Sequence, residues 1–228
     1  MAFEYGDDIP FAERELRPTP KPTSRRPLVL LGAIALVASA VAVVTVVRRP
    51  SPTALPGALP APARDGTLLG HHPYPEAAAG ALIEVEGIRL RPVVADAFRT
   101  MQQAALRSGV RLVPLSGFRS LKQQQDIYFG VKSDRNQSVQ ERAKVSAPPG
   151  YSEHHTGFAL DIGDGDRPDT NVEPGFDQTA AFRWLKDNAN RFNFEMSFPR
   201  GNAQGVSYEP WHWRFVGDPD SLKLFYRK

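Results

Sequence analysis

The sequence predicts an α+β domain, a small antiparallel sheet with flanking helices, over residues 83–228 of a 228-residue chain. Three observations carry this. Phe158–Ile162 and Glu209–Phe215 alternate apolar and polar residues, the period of a strand with one buried face. The segments after Pro92, after Ser120 and around Ala181–Ala189 instead space their apolar residues as helices do. These elements follow one another in mixed order, without the strand–helix alternation of a parallel sheet.

Taken from the N-terminus, residues 1–27 are polar, Pro-rich and aperiodic, and read as a disordered cytoplasmic tail. Leu28 to Val47 is a run of 20 apolar or small residues without a charge, bounded by Arg25-Arg26 and Arg48-Arg49. About 20 such residues span a bilayer, so the run predicts a single transmembrane anchor. Arg14, Arg17, Lys21, Arg25 and Arg26 precede it and keep the N-terminus inside. The alternative is a signal peptide cleaved after Ala38-Ser39-Ala40, but the long polar lead-in and the seven residues beyond Ala40 favour the anchor. Either reading exports the rest of the chain: the expected location is the cell membrane, with the folded domain extracytoplasmic. Residues 48–82, rich in Pro and Ala, read as a linker.

Within the domain, Ile83–Leu90 with Gly87 predicts a short hairpin. Pro92 suits a first helical position, and Val93, Val94, Ala97, Phe98, Met101, Ala104 and Ala105 continue a core helix that stops at Gly109. Val110–Leu115 is a strand leading into Ser116-Gly117-Phe118-Arg119-Ser120. Ser120 and Gln123 form a capping box that starts a helix from Leu121 to about Gly130, with Gln124 and Tyr128 on one face. Residues 131–150 read as a loop over the site, and 164–175 as another. Asp177 is placed to cap the helix carrying Ala181, Phe182, Trp184, Leu185 and Ala189. Phe192–Ser197 and Ser207–Phe215 are strands joined by a turn at 200–205.

Composition narrows the chemistry. The chain has no cysteine, which excludes disulfides, thiolate zinc sites and a cysteine nucleophile. Its net charge is +3 with part of the excess N-terminal, so no nucleic-acid partner is expected. No glycine-rich phosphate loop and no repeat appear. In Phe158–Ile162 the alternation puts Phe158, Leu160 and Ile162 on one face and Ala159 and Asp161 on the other. An inward carboxylate is costly unless paired. A histidine of the pair His154-His155 just upstream, with a metal ion between, would settle that cost. A third ligand has few sources. His71 and His72 sit in a Pro/Gly/Ala-rich stretch and look like loop residues, whereas His212 shares a strand face with Arg214 between buried aromatics. Two histidines and one aspartate with a fourth position open is the catalytic zinc arrangement, and Glu209 lies close enough in sequence to activate a water there. Arg119 falls at a strand-to-helix junction, where anions are favoured.

The pattern Ser152-x-His154-x-x-Gly157-x-Ala159-x-Asp161, followed by Glu209-x-x-His212, resembles the VanY-type zinc D-Ala-D-Ala carboxypeptidases. These are relatives of the VanX dipeptidases, the LdcB-type L,D-carboxypeptidases and the Hedgehog-like zinc fold. Ser116–Ser120 also resembles their arginine motif, with Gln124 and Tyr128 at matching offsets, and the similarity covers residues 85–217. The resemblance implies one Zn2+ per chain held by His154, Asp161 and His212, with His155 pointing away. It implies Glu209 as general base, Arg119 as the group that stabilises the oxyanion, and Ser152, Gln124 and Tyr128 beside the substrate. The implied activity is removal of the terminal D-alanine from peptidoglycan stem peptides by a monomer. The alternatives are an L,D-carboxypeptidase acting on tetrapeptides, or a wall-binding module that holds zinc without catalysis.

Overall fold

The computed structural model describes residues 58–226. The predicted anchor and cytoplasmic tail lie outside them; among the described residues no helix is long and apolar enough to cross a membrane. Ile83–Val85 (β1) and Ile88–Leu90 (β2) pair as the expected hairpin. A second, four-stranded antiparallel sheet is built from β3 (Leu112–Ser116), β4 (Ala159–Asp164), β5 (Phe194–Met196) and β6 (His212–Phe215), in the order β3-β4-β6-β5.

The register of that sheet positions the chemistry. Ser116 pairs with Asp161, Asp161 with His212, and Ala159 with Arg214, which in turn faces Glu195. Because strand side chains alternate, these residues share one face, while Leu160, Trp213 and Met196 line the other. The second face is the core. Helix α1 (Pro92–Arg107) buries Val94, Ala95, Phe98, Met101 and Ala105 in one cluster with Phe158, Leu160, Ile162, Trp213 and Phe215. Helix α4 (Ala180–Asn188) adds Ala181, Phe182 and Leu185.

Local signals start most of the helices. Pro92 opens α1, and Ser120 with Gln123 forms the expected capping box of α2 (Leu121–Asp134). That helix runs past Gly130, since an interior glycine costs a helix only about 1 kcal/mol relative to alanine and does not remove a backbone hydrogen bond. Residues 131–150 are more than a loop: they contain α3 (Val139–Ala143), capped by Ser138 with Glu141 and burying Val139, Arg142 and Ala143. Thr179, not Asp177, caps α4, its hydroxyl accepting from Phe182 N. The last strand starts only at His212, which leaves Glu209 in the turn before it. A terminal helix α5 (Pro219–Phe225), opened by Asp218 and Ser221, was not expected from periodicity. The stretch read as linker through residue 82 is also shorter than expected, since Leu68, His71, Tyr74 and Ala77 are buried against the domain.

Gly157 shows how tightly this frame is drawn. It ends the histidine turn at φ +69°, and a Cβ there would lie 2.6 Å from Leu82 Cδ2 and 3.3 Å from Arg91 Cγ. The left-handed conformation alone costs an L-residue about 1–2 kcal/mol. Gly157→Ala is therefore expected to lower unfolding stability by at least about that amount, read as a lower urea midpoint at unchanged slope.

Candidate active site

Two adjacent histidines could not serve one site from an extended strand, whose neighbouring side chains point to opposite faces. The chain instead makes a short 3-10 turn, Glu153–Thr156, with every residue buried. Ser152 caps it, its hydroxyl accepting from His154 N at 3.3 Å. His154 donates from Nδ1 to Gly117 O (2.6 Å), and its Nε2 lies 3.4 Å from Asp161 Oδ2. His155 turns away, as expected. It donates from Nδ1 to Arg119 O (2.7 Å) and accepts at Nε2 from Gly150 N (3.1 Å), tying two loops together as a neutral ring.

Across the sheet, His212 places Nδ1 3.0 Å from Asp161 Oδ1 and Nε2 3.0 Å from Glu153 Oε2. Its ring lies edge-on to that of His154, centroids 4.8 Å apart. One ligand atom from each of His154, Asp161 and His212 can be chosen so that all lie within 4.8 Å of one another. The donor chemistry fits a divalent cation. His154 commits Nδ1 to a carbonyl and His212 commits Nε2 to a carboxylate, so His154 Nε2 and His212 Nδ1 converge on Asp161. Such outer partners fix the tautomer and aim of metal-binding imidazoles.

The electrostatics describe a site short of positive charge. Burial disfavours the Asp161 anion, but His154 and His212 outweigh it and hold the carboxyl far below the usual range, and Arg119 pairs with it at 3.0 Å. Burial likewise opposes charge on His212, yet hydrogen bonds to the carboxylates on both nitrogens raise its pKa. Burial, then Arg119, push His154 down to about 4, so that ring is neutral. A divalent cation held by His154 Nε2, Asp161 and His212 Nδ1 would replace the proton on His212 Nδ1 and leave Nε2–H donating to Glu153.

Glu153 is the functional residue that sequence reasoning missed. It is 3% exposed and accepts from His212, from Arg214 (2.9 Å), from Ser197 and from Tyr74 (3.4 Å). Burial alone would raise its pKa, but His212 and Arg214 keep it ionised. The sequence carried only a faint signal: a glutamate directly before His154 and an arginine two residues after His212 on the same strand face.

Glu209 sits one turn before His212, its carbonyl accepting from His212 N (3.2 Å) and its own N–H donating to Phe198 O (3.1 Å). Desolvation, with repulsion from Asp161 and Glu153, pushes its carboxyl up to about 7 against the opposing pull of His212 and Arg119. Arg119 donates from NH2 to Asp161 Oδ2 (3.0 Å), from Nε to Ser116 Oγ and from NH1 to Gln124 Oε1. Its side chain keeps 23% exposure where that of Asp161 has 6%, so the guanidinium is the more solvent-accessible partner of the pair.

The three expected substrate residues stand differently. Gln124 is buried and passes between Arg119 and the loop, donating to Ser146 Oγ and Ala147 O, so it positions the arginine. Tyr128 is wholly buried, with its hydroxyl given to Val139 O and its pKa pushed by burial up to about 12. It packs α2 on α3 instead of lining the site. Ser152 is buried and caps the histidine turn.

Comparison with known proteins agrees with this geometry. The VanY family, described as D-alanyl-D-alanine carboxypeptidase, matches residues 87–218. The chain is 36% identical over 131 residues to the putative carboxypeptidase YodJ of Bacillus subtilis (56% of this chain, 46% of YodJ). It is 34% identical over 149 residues to a D-alanyl-D-alanine carboxypeptidase of Enterococcus faecalis (61% of this chain, 52% of the relative). The chain thus spans about half the length of these curated relatives. Among solved structures, the LdcB LD-carboxypeptidase superposes with a TM-score of 0.53 at 32% identity, covering 65% of this chain and 68% of that one. The vancomycin resistance D,D-pentapeptidase VanY in complex with Zn(II) gives a TM-score of 0.52 at 27% identity, covering 68% and 89%. With the family match running over more than half of its length and through every residue of the His154–Asp161–His212 centre, this chain belongs to the VanY family.

Proposed function

We propose that the protein is a zinc-dependent D,D-carboxypeptidase that removes the C-terminal D-alanine from peptidoglycan stem peptides. The observation that carries this is Glu209: a carboxyl with its pKa lifted to about 7 beside a two-histidine, one-aspartate ligand set. A purely structural metal site has no use for such a group. The solved VanY structure with Zn(II) supports the choice of metal.

His154 Nε2, Asp161 and His212 Nδ1 would hold the ion. When bound, zinc lowers the pKa of a coordinated water to about 7 and polarises a carbonyl oxygen. The residues supply the rest. Glu209 accepts the proton of the attacking water and returns it to the leaving amine, work suited to a carboxylate tuned toward neutral pH. Arg119, aimed by Gln124 and Ser116, presents a fixed positive charge to the oxygen on which negative charge develops. Glu153 keeps His212 oriented, and the apolar face of the same strands holds these groups rigid.

The similarity to LdcB, at a higher identity than to the VanY structure, favours one second reading: an L,D-carboxypeptidase acting on tetrapeptide stems. The uncharged run Leu28–Val47 supports a membrane tether with the domain on the extracytoplasmic side, where peptidoglycan lies, and we propose a monomer.

The deciding measurement is chelator-sensitive release of D-alanine from pentapeptide and tetrapeptide stems offered side by side. Release from the pentapeptide alone is expected; release from the tetrapeptide moves the reading to L,D, and release from neither rejects a carboxypeptidase. Glu209→Ala should keep one zinc per chain while kcat falls by about 10²–10⁴-fold; unchanged turnover would sink the assigned base. His154→Ala should weaken zinc binding by more than about 100-fold. His155→Ala should instead cost about 1–3 kcal/mol of stability, through its two lost hydrogen bonds, and shift zinc affinity less than tenfold. Equal losses of zinc in the two variants would mean the ligand is misassigned.

A further inference from the structure

Residues 68–77 lie outside the family-matched region 87–218, yet they are fastened to the part of the fold that carries the ligands. Leu68 and His71 close a tight bridge through reciprocal 2.9 Å hydrogen bonds. From there the backbone brackets the histidine turn: Tyr74 N donates to Gly150 O (2.8 Å) on one side, and Ala77 N to His155 O (2.7 Å) on the other. His71 donates from Nε2 to Ala143 O in α3 (2.7 Å), and the Glu76 carboxylate accepts from Leu121 N at the start of α2. A Cβ on Gly70 would lie 2.0 Å from Gln204 O, so the backbone runs directly against the loop 200–205. The segment therefore touches most of the pieces that surround the centre.

One side chain reaches further in. The Tyr74 ring packs on Phe225 of α5, centroids 5.6 Å apart, and its hydroxyl donates to Glu153 Oε1. Glu153 Oε1 also takes Arg214, and Oε2 takes His212 Nε2. The carboxylate that aims His212 is thus held at Oε1 by Arg214 from the sheet (2.9 Å) and Tyr74 from the incoming chain (3.4 Å), and at Oε2 by Ser197. With the Tyr74 hydroxyl removed, Oε1 is left to Arg214 while Oε2 stays with Ser197 and His212, so the carboxylate can turn toward Arg214 and carry the imidazole with it.

We propose that residues 68–77 form a strap that sets the metal affinity of the site, with Tyr74 a positioning residue that acts on His212 through Glu153. This rests on the metal-centre reading above. Outer-shell partners of metal-bound histidines typically contribute 10–100-fold in metal affinity. Tyr74 stands one bond further out, so a contribution of about three- to tenfold is expected.

The test uses the full chain stripped of metal, with zinc affinity measured by competition against a chelator and folding by thermal unfolding of the metal-free protein. Tyr74→Phe keeps the ring on Phe225 and deletes only the hydroxyl. Tyr128→Phe is the matched control, removing a buried hydroxyl that serves Val139 O and not Glu153. The expected result is a three- to tenfold weaker zinc affinity for Tyr74→Phe and an affinity within twofold of the parent for Tyr128→Phe, whatever their unfolding midpoints. Parent-like affinity in Tyr74→Phe overturns the strap while leaving the metal centre standing. Equal weakening in both variants also overturns it, because that is a general loss of packing. A parent protein that binds no zinc overturns the metal centre and the strap together.

Discussion

A carboxylate placed inside a protein must be answered by positive charge, and in this domain that carboxylate is Asp161. The idealised cost of burying such an ion is of order 20 kcal/mol, and several kcal/mol remain after relaxation. His212 comes to it directly across the sheet, His154 from the turn just upstream, and Arg119 from the strand-to-helix junction. Glu153 adds a second buried anion on the far side of His212, answered by Arg214. With Glu209 held nearby, three carboxyl groups share a small volume with two guanidinium groups and one imidazole that carries a proton only under their influence. A divalent cation is the natural complement of that distribution. Burial, reinforced by Asp161 and Glu153, makes Glu209 a weaker acid than an ordinary carboxyl.

The fold delivers these groups by using each strand twice. In β4 and β6, alternate residues enter the core against α1 and α4, and the residues between them build the site. Packing and chemistry are thereby coupled: Leu160 and Trp213 fix the register that sets Asp161 opposite His212. A slip of one residue would send the ligands into the core. The remaining ligand cannot come from a strand neighbour, so the chain uses a one-turn helix, capped by Ser152 and ended by left-handed Gly157, to bring His154 over Asp161 while His155 ties Gly150 to Arg119.

Much of this was legible before any coordinates. Period-2 alternation located β4 and β6, Pro92 and the Ser120–Gln123 box located α1 and α2, and the spacing of His154, Asp161, Glu209 and His212 pointed to a metal centre with a base. The misreadings share a cause. Tyr128 lies on one face of α2, but sequence does not say whether that face meets solvent or α3, and α3 itself is too short to show a period. Glu153 passed unnoticed because a glutamate beside a histidine is ordinary in sequence; its weight comes from Arg214, His212 and Ser197, residues 44–61 positions away.

The sequence by itself determined the α+β class, the order of the main elements and the kind of centre to expect, two histidines and an aspartate, because those rest on local period, caps and residue chemistry. Only the tertiary structure decided which histidine of the pair faces inward by geometry, that Glu153 and Arg214 back His212, and that residues 68–77 belong to the domain. Each of these depends on groups far apart in sequence, whose proximity follows from strand register and from the close packing of loops, and neither leaves a periodic trace in the chain.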